Sequence, residues 1–223
     1  MALNLLMLGP PGAGKGTQAE RFARARGIPK ISTGDILREA VHANTDIGLR
    51  AKAIMDRGEL VGDDVMIGIV RERLERNDAV GGFILDGFPR TVAQASALDG
   101  IMSDRDPLIV VDIVVPEAEL VRRLGTRMIC HDCGTGAPVG WTAGIACLKC
   151  GGRLVQRADD NQAVVIERLK IYHRQSEPLV EYYRVRPTFR SIDGAQPPDR
   201  VAADLAAAIE AAGKGNGAVG VRG

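Results

Sequence analysis

The chain has 223 residues, 45% hydrophobic and 26% charged, and its 29 Lys and Arg against 28 Asp and Glu leave a formal net charge of +1. That length suits one domain carrying small insertions, and the charge balance excludes the bulk positive field by which nucleic-acid and anionic-membrane binders attract their partners. No apolar run approaches the roughly 20 residues of a membrane span, and the apolar N-terminus lacks a basic flank, so a cytoplasmic address is expected.

In chain order, the apolar run Leu3 to Leu8 reads as a buried strand and leads into Gly9-Pro10-Pro11-Gly12-Ala13-Gly14-Lys15-Gly16-Thr17, with a helix from about Gln18 to Gly27 behind it. Strand, glycine turn and helix in that order form a cradle whose backbone N–H groups converge on a phosphate, assisted by the helix dipole and by the lysine charge. Ile28 to Ile31 is a short strand candidate. Ser32 and Asp35 then stand at capping-box spacing, so the following helix start reads either as a plain cap with an exposed arginine or, with the Thr33 hydroxyl and the Arg38 fork, as a second anion site. Residues 34–78 read as three helices with breaks at Asn44, Gly58 and Gly62, a helical insertion on the main domain.

Gly82 to Asp86 is a buried strand ending in an acid placed to hold Mg²⁺ through water. Gly87-Phe88-Pro89-Arg90-Thr91 and a helix through Gln94 follow. Leu108 to Val115 is a second β-branched strand, and a helix from Pro116 is expected to run to Arg127. Residues 128–158 break the composition, holding six glycines, the single Trp and all four cysteines. Cys130-x2-Cys133 and Cys147-x2-Cys150 are separated by thirteen residues. Two such knuckles favour a closed structural zinc site over free thiols or disulfides, and the metal substitutes for a core that so short a module cannot build. A helix carrying Val165, Leu169 and Arg168 comes next, then a strand from Thr188 to Ile192 and an alanine-rich helix from Pro198 to Ala212. Residues 213–223 read as a disordered tail. Strands alternating with helices imply an α/β fold with a parallel sheet covered on both faces.

Arg38, Arg90, Arg127, Arg157 and Arg168 come from separate segments that a sheet can bring to one cleft. Five guanidiniums around Lys15 exceed what one nucleotide needs and suit phosphoryl transfer between two phosphorylated substrates. His42, His131 and His173 have no partners in such a scheme and read as surface or packing residues.

The motifs Gly9 to Gln18, Ile31-Ser-Thr-Gly-Asp35, Leu85-Asp-Gly-Phe-Pro-Arg-Thr91 and Gln156-Arg-Ala-Asp-Asp160 together make the sequence resemble the adenylate kinases of the bacterial, long-lid type, from Leu3 to about Ala212. The resemblance implies a P-loop fold with a five-stranded parallel sheet, the reaction MgATP + AMP ⇌ 2 ADP, and a monomer without nucleic-acid or membrane partners. It divides the chain into a core (1–31, 62–126, 161–212), an AMP-binding insertion (32–61) and a lid with structural Zn²⁺ (127–160). It implies that Gly12, Ala13, Gly14, Lys15, Gly16, Thr17, Arg127 and the Gln196 carbonyl contact ATP. Thr33, Arg38, Glu59, Leu60, Val61, Gly87, Phe88, Pro89, Arg90, Gln94, Arg157 and Arg168 would meet AMP, with Gln94 reading its base. Lys15, Arg90, Arg127, Arg157 and Arg168 would be catalytic, Asp86 would hold Mg²⁺ through water, and the four cysteines would hold zinc. The lid departs from the family pattern in its Gly-Thr-Arg127 root, in Gly136-Ala137 and in its shortened span between cysteine pairs. A kinase of UMP, CMP or GMP, or a zinc-ribbon nucleic-acid protein, are the alternatives.

Overall fold

The computed structural model describes residues 2–138 and 140–215. Its centre is a five-stranded parallel sheet in the order β2-β3-β1-β4-β7. The strands are β1 (Leu3–Leu8), β2 (Lys30–Ser32), β3 (Gly82–Asp86), β4 (Leu108–Val114) and β7 (Phe189–Asp193). Both faces are buried, as parallel sheets require, so the strands alternate between two cores. Leu5, Met7, Ile84, Ile109, Val111 and Ile113 point to one face. That face is covered by α1 (Lys15–Arg26), α6 (Glu117–Gly125), α7 (Gln162–Ile171) and α9 (Pro198–Gly215). Leu6, Leu8, Phe83, Leu85, Leu108 and Val110 point to the other. There they meet α2 (Thr33–His42), α3 (Asp46–Asp56), α4 (Asp63–Leu74), α5 (Val92–Ile101) and α8 (Pro178–Arg184).

The strands therefore end on one side of the sheet, and the register aligns those ends: Met7 and Ser32 both pair with Asp86, and Leu8 pairs with Asp112. The strand order switches sides at β1, with β3 and β2 on one side and β4 and β7 on the other, the place where open α/β sheets leave a crevice for ligand.

Three boundaries differ from the sequence expectation. α1 begins at Lys15 rather than Gln18, because Gly14 adopts a left-handed conformation that closes the loop three residues earlier. α6 stops at Gly125, two residues before Arg127, so that arginine sits on the connection into β5 (Met128–Cys130) rather than on the helix. α9 continues through Gly213 to Gly215 because Val201, Leu205, Ile209 and Ala212 keep one stripe of the helix docked on the sheet. The remainder of the tail expected to be disordered, residues 216–223, lies outside the described residues.

The cysteine-bearing segment forms a small unit of its own. β5 pairs antiparallel with β6 (Leu154–Gln156), and the buried hydrophobic side chains among its described residues are Cys130, Cys147 and Leu154.

Candidate active site

The loop after β1 is tight by construction. Gly9 has φ 132°, and a Cβ there would stand 2.6 Å from the Ile113 carbonyl oxygen of the neighbouring strand. Ala13 is buried, Gly12 lies against Leu124, and Thr17 is exposed on the first turn of α1. Lys15 folds back over the loop, its Nζ donating to the Gly9 and Pro10 carbonyls at 2.6 and 2.9 Å. Burial pulls the lysine down to about 8 from its ordinary 10.5; the Asp86 carboxylate resists this, while Arg90, Arg168 and Arg127 add to it. Asp86 itself borders the loop, since a Cβ on Gly16 would lie 3.2 Å from its Oδ2.

The native state consequently binds fewer protons than the unfolded chain between pH about 8 and 10.5. The lysine's charge costs stability below that window, and the cost relaxes as pH rises through it. Catalysis has the opposite sign. For the nucleotide reaction that the sequence resemblance implies, with Lys15 on phosphate, kcat/KM at limiting nucleotide is expected to fall as pH rises past about 8, because the free protein loses the lysine charge. A profile flat to pH 10 would overturn this.

A second cluster of polar and basic residues is built from the start of α2 and the segment after β3. Ser32 caps α2 by accepting from the Asp35 N–H, and the buried Thr33 donates its hydroxyl to the Gly87 carbonyl at 2.8 Å. Arg38 pairs with Asp35. Desolvation opposes ionisation of that carboxyl, but Arg38 and Lys30 together hold it at about 2. Arg90 donates from Nε to the Gly87 carbonyl at 2.7 Å, and its own carbonyl accepts from Ser176 Oγ at 2.9 Å. Gln94 is buried in the first turn of α5. Phe88 and Pro89, joined by a cis peptide bond, are buried in the core and contribute shape rather than polar contact. Glu59 is exposed and taken by Arg57 at 2.9 and 2.7 Å, so of this segment Val61 alone packs inward, against the core, while Leu60 is half-buried.

Three further arginines are held by two adjacent acids. Asp160, whose side chain is 0% exposed, accepts from Arg127 Nε and Nη2 at 2.7 and 2.6 Å and from Arg168 Nη1 at 3.0 Å. Asp159 accepts from Arg168 at 3.0 Å and pairs with Arg157 at 3.6 Å. Desolvation lowers Arg90 and Arg157 to about 10 each; Arg168 and Arg38 press further on the first, Arg127 and Arg38 on the second. The guanidiniums stay charged at neutral pH, so the cluster is a set of crowded, partly desolvated cations whose ease depends on gaining anions. Gly58, at φ 75°, lets the insertion pass this cluster closely; a Cβ there would come within 2.8 Å of Arg168 Cγ.

Removing Asp160 leaves Arg127 and Arg168, 28% and 19% exposed, without their shared partner. Asp160→Ala is expected to destabilise the fold by about 2 kcal/mol, less than for a fully buried pair because of this exposure. Urea unfolding measures it, and a change below about 0.5 kcal/mol would refute it.

Gln196 lies apart from these groups, on the loop after β7, donating to the Asp193 carbonyl and to Asp204 at 3.2 and 2.9 Å. Four supporting residues have no role in the sequence reading. Asp159 and Asp160 were visible as an acidic pair beside Arg157. Asp63 was not, because its partners Thr91 and Gln94 lie 28 and 31 residues away. Arg123, which donates to the Gly194 carbonyl at 2.9 Å and so ties the Gln196 loop to α6, is indistinguishable in sequence from a surface arginine.

The four cysteine sulfurs all lie within 4.8 Å of one another, with Cys130 and Cys150 at 3.5 Å and Cys133 and Cys147 at 3.7 Å. Thiolates about 2.3 Å from one tetrahedral ion stand about 3.8 Å apart, so this donor set can hold a metal with every coordination position filled by protein.

Comparison with known proteins agrees with this geometry. The sequence profile of the adenylate kinase family, described as "Adenylate kinase", matches residues 7–188. The chain is 48% identical over 213 residues to an adenylate kinase of Archaeoglobus fulgidus, covering 93% of this chain and 98% of that protein. It is 48% identical over 209 residues to one from Geobacillus sp. strain WCH70, covering 91% and 96% of the two chains. A third, from Thermodesulfovibrio yellowstonii, is 47% identical over 213 residues, covering 93% and 99%. With a five-stranded parallel sheet whose first strand runs into a glycine-rich loop, a family profile matched over residues 7–188 and relatives matched over nearly their whole length, the chain belongs to the adenylate kinase family.

Proposed function

We propose that the protein transfers the terminal phosphoryl group of MgATP reversibly to AMP, giving two ADP. The observation that carries the reading is that Asp159 and Asp160 gather Arg127, Arg157 and Arg168 into one cluster, with Lys15 and Arg90 close enough to feel its charge, more positive charge than one nucleotide requires. The loop Gly12 to Thr17 holds the donor phosphates. Thr33, Arg38 and Arg90 hold the acceptor phosphate, and Gln94 meets its base. An oxygen of the AMP phosphate forms a bond to the γ-phosphorus as the bond from that phosphorus to the β-bridging oxygen breaks, and no proton changes hands. Lys15 exchanges the Gly9 and Pro10 carbonyls for donor phosphate oxygens, and Arg90, Arg157 and Arg168 spread over the charge of the transferring group. Asp86, beside Gly16, is the carboxylate that would hold Mg²⁺ through water; the ion neutralises phosphate charge when bound.

Residues 127–160 act as a lid that excludes water, leaving AMP as the acceptor. Cys130, Cys133, Cys147 and Cys150 hold structural Zn²⁺ in it. The protein works as a cytoplasmic monomer on ATP, AMP and ADP, without nucleic-acid or membrane partners; its net charge is +1, and no helix among the described residues is long and apolar enough to cross a membrane. A coupled assay for ADP from ATP, with AMP, CMP, UMP and GMP offered in turn, tests the assignment. Strong preference for AMP is expected, and equal or greater turnover with another acceptor would replace the reading.

A further inference from the structure

We infer that Asp63 determines specificity for the acceptor base by fixing which way round the Gln94 amide is presented; this rests on the reading above that Gln94 meets that base. Asp63 opens α4, and Gln94 stands in the first turn of α5. Gln94 Nε2 donates to Asp63 Oδ1 at 2.7 Å, and Thr91 Oγ1 donates to Asp63 Oδ2 at 2.9 Å. The Arg90 backbone N–H donates to Gln94 Oε1 at 2.7 Å, while the N–H of Gln94 donates to Thr91 Oγ1 at 3.2 Å.

Every proton in this ring is assigned by chemistry. A backbone N–H only donates and a carboxylate only accepts, so the amide oxygen must face Arg90 and the amide nitrogen Asp63. Gln94 is 1% exposed, and water is not at hand to satisfy the reversed amide. In this orientation the amide keeps one N–H and one oxygen lone pair unused.

At its N1/C6 edge adenine presents a ring-nitrogen acceptor next to an amine donor, which the unused N–H and lone pair match. Hypoxanthine and guanine present a keto acceptor and a ring N–H donor at the same two positions, the inverse pattern. Serving them requires the amide to turn by half a rotation, which sets Nε2 against the Arg90 N–H and Oε1 against the Asp63 carboxylate. Unmade buried hydrogen bonds of this kind are what let a polar site reject a near-isostere strongly. Asp63 therefore acts through Gln94 as a positioning residue.

The test compares kcat/KM for AMP and for IMP, which differ only at this edge. Asp63→Asn, whose amide can donate as well as accept, removes one of the two opposing contacts and is expected to lower the AMP/IMP ratio about tenfold. A purely structural role would depress both substrates together, so an unchanged ratio in the folded variant overturns the inference. If the Asn variant fails to fold, Asp63→Ser offers a hydroxyl of either polarity and carries the same expectation. Gln94→Leu separates the two layers of the argument. A ratio that stays at the wild-type value there means that Gln94 does not read the base, and both readings fall. A ratio that collapses in Gln94→Leu but not in either Asp63 variant leaves the base reading standing and removes Asp63 from it.

Discussion

Replacing Lys15 with alanine is expected to lower kcat for ADP formation by about 10² to 10³-fold, the size seen when one preorganised donor to developing charge is deleted. The melting temperature is expected to stay within about 2 °C of the parent. The two halves of that expectation have separate causes. Lys15 is the cation of the glycine loop, and its Nζ donates to two loop carbonyls whose place the proposed nucleotide oxygens would take. Its charge is held against desolvation and against three neighbouring arginines, which is why it is pulled down to about 8. Removing such a charge relieves a cost in the folded state and deletes no member of either hydrophobic core. Near-normal turnover would refute the role assigned to the loop; loss of activity accompanied by unfolding would refute the energetic argument.

The second large effect is expected from stripping the lid of metal. Protein purified without chelator is expected to contain close to one equivalent of zinc, and chelation to lower the melting temperature by about 10 °C. The lid has almost nothing else to hold it. The buried hydrophobic side chains among its described residues are Cys130, Cys147 and Leu154, its sheet is two strands of three residues, and two of those three side chains are themselves proposed ligands. A module with so little apolar burial folds on the free energy of its metal. Metal content below about half an equivalent, with a melting temperature indifferent to chelator, would refute the zinc assignment.

Much of the fold was legible because it is written in local patterns. The apolar runs of β1, β3 and β4, the glycine loop between strand and helix, and the Ser32 cap each need only neighbouring residues to form, and the structure contains all of them. The phosphate loop and the basic residues were named from the same kind of signal. What was not legible depends on distant partners. The end of α6 before Arg127 is visible only when β5 departs from it. The continuation of α9 through its glycines depends on docking against β4 and β7. Asp63 looks like any acid in the first turn of a helix until the fold brings Thr91 and Gln94 to its two oxygens.

By itself, then, the sequence determined the kind of chemistry: an anion cradle at the end of a buried strand, an excess of guanidiniums, and four thiols at metal-ligand spacing. Residue type and short-range geometry suffice for that, because a glycine loop before a helix or a pair of cysteine knuckles has few other uses. Only the tertiary structure decided how those charges are held. Asp159 and Asp160 pin three arginines from different segments, Gly58 lets the insertion close on Arg168, and the Asp63–Thr91 pair orients Gln94. The Arg127–Asp160, Asp63–Thr91 and Asp63–Gln94 hydrogen bonds and the Gly58–Arg168 approach join residues distant in sequence, whose partners exist only once the two cores have packed and brought the strand ends to one edge of the sheet.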